Sequence, residues 1–115
     1  MAFIIRKEKS YTWPVTISEP ADGGRFNDQK VNVKFKMLSQ SRIDEIIRNE
    51  AEQDADILTD VLIGWDDGAF NDETGNNLAF NADNKDLVLS VPFIRSALVK
   101  SFFESNSGKQ FKRKN

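Results

Sequence analysis

Two stretches of strict alternation constrain this chain more than anything else in it. In YTWPVTIS, residues 11–18, Trp13, Val15 and Ile17 fall on one side and Thr12, Pro14, Thr16 and Ser18 on the other. In KVNVKFK, residues 30–36, Val31, Val33 and Phe35 oppose Lys30, Asn32, Lys34 and Lys36. A period of two is the pattern of a half-buried strand. Between them lies EPADGGRFNDQ, crowded with Pro, Asp, Asn and Gly, which reads as a turn or mobile loop with Asp22, Gly23 and Gly24 at its tip. The expectation is an antiparallel hairpin. Pro14 has no N–H to give a ladder, so its strand lies at a sheet edge or pairs through its other side. AFIIRK, residues 2–7, is a candidate third strand.

A two-stranded hairpin is marginal by itself in water, so its apolar face must be covered. The cover begins after Met37 and Leu38. Ser41 and Asp44 form a weak capping box, and Ile43, Ile46, Ile47, Ala51, Ala55, Leu58 and Leu62 recur at helical spacing. This predicts helix over 41–63, either continuous or broken near residue 54, with its acids facing water. Farther on, Asn81 and Asp83 can cap a short helix carrying Leu87 and Val88. Pro92 suits the first turn of a last helix, whose stripe is Phe93, Ile94, Ala97, Leu98, Ser101 and Phe102. That helix is expected to end near Ser105, with Asn106, Ser107 and Gly108 stopping it. At 115 residues there is room for one core. The fold class is therefore α+β: an N-terminal antiparallel hairpin or three-stranded sheet packed on three to four C-terminal helices. The single domain is expected over 1–105, followed by a flexible basic tail over 106–115.

The remaining segment, IGWDDGAFNDETGNNLAFN at 63–81, mixes glycines, acids and asparagines, a composition that ligand-binding loops share. A calcium loop of the EF-hand type needs oxygen ligands at positions one, three and five, with glycine at six. Placing Gly75 at six puts Phe70 at one, and placing Gly68 at six puts Ile63 at one and Trp65 at three. Both registers fail. The glycines at 64, 68 and 75 lack the spacing of a phosphate loop and the Lys-Ser or Lys-Thr that follows one. Asp66 and Asp67 are adjacent on a turn and point apart, which does not suit paired acid/base work. The segment reads as a structural turn built on Gly64, Trp65, Gly68, Gly75 and Phe80, with Trp65 and Phe80 packing inward at its two ends and its acids solvated.

There is no histidine and no cysteine. Imidazole and thiolate chemistry are thereby excluded, as are disulfides, and most enzyme hypotheses weaken. No metal site, cofactor, export signal or membrane span is expected, and a cytoplasmic setting fits best. Charge is strongly segregated: residues 44–73 hold eleven acids and one base, Arg48, whereas KQFKRKN at 109–115 holds four bases and no acid. Basic ends around an acidic middle point to self-association or a charged protein partner more than to nucleic acid, which the acidic block repels, while the plainer reading of the same charges, and the one charge alone favours, is a solvated acidic helix. The last helix carries more apolar surface than one narrow stripe. Phe102 and Phe103, adjacent and so about 100° apart, do not serve one narrow contact. Met37, Ile94, Leu98 and Phe102 are the candidate partner-binding residues.

The order of these features resembles a known family. Trp-Pro-Val-Thr followed by Pro-x-Asp-Gly-Gly, a basic strand ending FKML, and acidic helices is similar to the opening of the tail assembly chaperones of long-tailed bacteriophages. Ile63-Gly64-Trp65, an acidic turn with Asp72 and Gly75, Leu78-Ala79-Phe80, a capped helix with Leu87, then Pro92 and a helix through Phe102 resembles that family's C-terminal pattern. The asparagines of 71–84 lengthen the turn relative to it. The resemblance implies a non-catalytic protein of the host cytoplasm, absent from the finished virion. It would coat the tape-measure protein and keep it soluble until tail-tube subunits polymerise around it. It also implies self-association into a homo-oligomer, contact with the tail-tube protein, and a frameshift-extended form of the chain as a further partner. The competing expectations are a small structural virion component, such as a tail-completion or connector subunit, and a nucleic-acid-binding regulator.

Overall fold

Alternation of apolar and polar residues produces the expected hairpin, and produces it longer than the alternation itself. The computed structural model describes residues 9–48 and 54–107. Strand β1 spans Ser10–Ala21 and pairs antiparallel with β2, Arg25–Lys36, from Ser10 opposite Lys36 to Ala21 opposite Arg25. Only residues 22–24 turn, with Gly23 and Gly24 at φ of 80° and 74°, a conformation that L side chains avoid. Most of the segment read as a loop is therefore ladder. Once Val15 pairs with Val31 the register runs on toward the tip, and Ser18 Oγ donates to Asp28 Oδ1 at 2.6 Å across the two strands.

The third strand is β3, Leu62–Trp65, antiparallel to the other side of β2, which gives the order β1-β2-β3. It comes from residues read as the end of a helix, 62 and 63, and as the start of the turn, Gly64 and Trp65. Leu62 keeps the burial that the helical stripe assigned to it, but does so beside Phe35 in the sheet, where a register shift lies between Lys34 and Phe35. The candidate strand at 2–7 lies outside the described residues. Pro14 sits on β1, which is an edge strand among the described residues.

Within the region read as helix, the described residues form α1, Gln40–Arg48, and α2, Asp54–Val61, and residues 49–53, on which the choice between a continuous and a broken helix turns, lie outside them. Ser39, rather than Ser41, caps α1: its Oγ accepts the Arg42 N–H at 3.3 Å. Helix α3, Ala82–Leu89, is capped by Asn81, whose side chain accepts the Asn84 N–H at 2.8 Å. Helix α4, Pro92–Ser107, runs two residues past the expected end. The Asn106 side chain bonds both backbone groups of Leu38, at 3.0 and 3.2 Å.

One face of the sheet forms the core. Val15, Val33, Phe35, Leu58, Val61, Leu62, Leu98 and Phe102 are fully enclosed. Phe102 of α4 meets Phe35 edge-on at 5.5 Å. The opposite face carries Thr12, Thr16, Lys30, Asn32, Lys34 and Lys36, all exposed. Arg42 reaches Asp60 at 3.6 Å from α1 to α2, and Lys85 of α3 donates to the Thr59 carbonyl at 2.7 Å. Burial lowers the pKa of Lys85, while Asp60 and Asp86 act to raise it. Among the described residues no helix is long and apolar enough to cross a membrane.

Candidate functional site

The segment from 66 to 81 leaves β3 and folds back before α3, and its residues explain how. Asp72 organises a tight loop. Its Oδ1 accepts the Thr74 hydroxyl at 2.7 Å, the Thr74 N–H at 2.9 Å and the Asn76 N–H at 3.0 Å. Asn71 and Asn77 form a bridge below it. Gly75 takes the positive φ, 86°, that reverses the chain. The Thr74 hydroxyl and then the Asn76 N–H hold the Asp72 carboxyl below the ordinary range for aspartate. Gly68, at φ 83°, starts the segment, and its N–H donates to Asn77 Oδ1 at 2.7 Å.

Trp65 holds this loop to the sheet. Its ring meets Phe70 at 4.9 Å and Phe80 at 4.8 Å, both edge-on, and its indole N–H donates to the Leu78 carbonyl. Two expectations change here. Phe80 remains 37 % exposed and covers Trp65 rather than packing inward. Gly64 is a strand residue opposite Lys34, not a turn residue, and a Cβ placed there would meet Lys34 at an ordinary 3.5 Å. Among the described residues no group of three or more carboxylates is placed to hold a metal ion.

Between this loop and the junction of α3 with α4 opens a cleft of about 530 Å³. Phe70, Leu78, Leu87, Val88, Val91 and Ile94 supply its apolar lining, and Asn71, Asp72, Glu73 and Thr74 its polar side. Leu87 is 54 % exposed. A leucine so open beside an apolar hollow is a standing opportunity for contact. A smaller hollow of about 280 Å³ adjoins it, sharing Phe70, Asn71 and Ile94 and extending toward Ile17 and Val31 of the hairpin.

Of the four candidate partner-binding residues, the structure gives only Ile94 to this cleft. Leu98 and Phe102 have no exposed surface and belong to the core, because the sheet face takes the α4 stripe that was read as surplus. Met37 is half-buried at the other end of α4, beside Tyr11, Trp13 and Asn106 in a separate hollow of about 270 Å³. The residues that sequence reasoning missed are Phe70, Leu78 and Leu87. Leu87 carried a signal: it was placed on a short helix whose following residue, Val88, already supplied the apolar contact.

The fold and cleft together define a small α+β domain with an open, acid-sided apolar groove. No family model matches the chain, and no curated protein or solved structure matches it either.

Proposed function

We propose that this protein is a non-catalytic tail assembly chaperone of a long-tailed phage, acting in the host cytoplasm to hold the tape-measure protein in soluble form. The observation that carries the reading is the cleft of Phe70, Leu78, Leu87, Val91 and Ile94, with Leu87 half out of the surface. An amphipathic helix gains affinity by inserting spaced apolar anchors into such a groove, and the task needs no titrating catalytic group. The order of motifs along the chain, from Trp13-Pro14 to Phe102, supports the same reading by resemblance.

Co-expression tests it. The tape-measure protein encoded by the same phage should move from the insoluble to the soluble fraction when this chain is present, and should do so less with Leu87→Asp. A tape-measure protein no more soluble with the chain than without it sinks the proposal. Mass spectrometry of purified particles separates it from a structural virion role, which requires a stoichiometric amount of the chain in the virion.

A further inference from the structure

The cleft and the chain's own last residues are chemically complementary. KQFKRKN, residues 109–115, places one apolar side chain, Phe111, among four bases. The cleft places apolar walls beside two carboxylates, Asp72 and Glu73. The open sheet face, with Lys30, Lys34 and Lys36, repels such a segment, whereas the acid-sided cleft attracts it and gives its aromatic ring a dry seat.

The match does not close within one chain. From Ile94, the cleft residue nearest the end of α4, to Ser107 the rise along the helix is about 20 Å at helical spacing. The four residues from Ser107 to Phe111 span at most about 14 Å when fully extended. Because α4 ends pointing away from the cleft, the return path is shorter still.

We propose that Phe111 and its flanking bases in one copy seat in the Leu87–Ile94 cleft of a second copy, joining copies head to tail through the surface that also receives the client. The inference rests on the cleft being a protein-binding surface, as in the proposed function, but not on the identity of the client. The contact is heterologous: each copy carries both the basic segment and the cleft, so assembly proceeds to rings or open chains rather than stopping at a symmetric pair. A client helix and a neighbour's tail then compete for one groove.

Complementary variants of the full chain decide it. Phe111→Ala keeps the cleft and spoils the tail, whereas Leu87→Lys keeps the tail and spoils the cleft at a position 54 % exposed. In sedimentation velocity the wild-type chain should assemble with rising concentration, with self-association at least tenfold weaker in high salt. Each variant alone should stay monomeric, and an equimolar mixture should form a one-to-one heterodimer. A monomeric wild-type chain, single variants that assemble like wild type, or a mixture that stays monomeric overturns the proposal. Client solubility is scored separately. Heterodimer formation without client rescue leaves this contact standing and removes the chaperone reading, and rescue by a monomeric wild-type chain does the reverse.

Discussion

Trp65 donates its indole N–H to the carbonyl oxygen of Leu78 at 2.8 Å, across thirteen residues of turn. That single bond ties the last residue of the sheet to the residue that forms one wall of the cleft. With Phe70 and Phe80 packed edge-on against the same ring, the tryptophan sets where the loop stands relative to α3 and α4.

Trp65→Phe should keep part of the ring packing and lose the hydrogen bond. The expected cost is about 1 kcal/mol, rising to about 3 kcal/mol for Trp65→Ala. Urea denaturation followed by far-UV circular dichroism measures both. Equal losses in the two variants would mean that the indole N–H contributes nothing beyond the ring.

Leu98 and Phe102 should behave as core residues and not as contacts for a partner. Each is completely enclosed, so Leu98→Ala and Phe102→Ala should each destabilise by about 2–5 kcal/mol. Ile94→Ala, at a half-buried cleft position, should cost no more than about 1.5 kcal/mol while weakening client rescue. A destabilisation by Leu98→Ala below that of Ile94→Ala contradicts the packing described.

Tyr11 joins the start of β1 to the end of α4 through a 2.7 Å hydrogen bond between its hydroxyl and Ser105 Oγ. Burial raises its pKa above the usual phenol value, and the Ser105 bond opposes this only in part. The neutral phenol is favoured in the folded state, so its contribution is fully present below a pH of about 10 and is lost as pH rises through the folded value. Wild-type stability should therefore fall more steeply above that pH than the stability of Tyr11→Phe. Parallel slopes in a pH series of urea melts would remove the effect.

Asp72 should control the turn more than its exposure implies. Its lowered pKa means that the stabilisation is present in full above an ordinary aspartate pKa of about 3.9 and is lost as pH falls through the lower folded value. Protection factors at the Thr74 and Asn76 amides, taken against the intrinsic exchange rate at each pH, should fall in acid for wild type and be low at all pH values for Asp72→Ala, with Asp72→Asn between them. Gly75→Ala, forced to a φ of 86°, should cost about 1 kcal/mol or more. Unchanged exchange at both amides in Asp72→Ala would show that the loop is held from elsewhere.

The hairpin, the Asn81 cap and the Pro92 start of α4 were all legible in the sequence, because each depends on neighbours within a few residues. The third strand was not. Leu62 fits a helical stripe and a strand equally well, since an apolar residue at the end of a helix satisfies either period, and only the open edge of β2 selects the strand. The cleft was only partly legible. Ile94, one of the four candidates, lines it, but Leu98 and Phe102 lie on the same helical stripe, and spacing alone does not tell which part of a stripe meets the sheet and which meets water.

The sequence by itself determined the local structure of this protein and its charge distribution. Alternation made strands, Gly23, Gly24 and Gly75 took the positive φ angles of the turns, and the absence of histidine and cysteine removed two kinds of chemistry. The tertiary structure alone decided which apolar residues are surface. Burial is a property of what packs opposite a side chain. Phe35 and the rest of the sheet face cover Phe102, whereas nothing among the described residues covers Leu87 to the same degree. That difference, invisible along the chain, places the cleft at the head of α4.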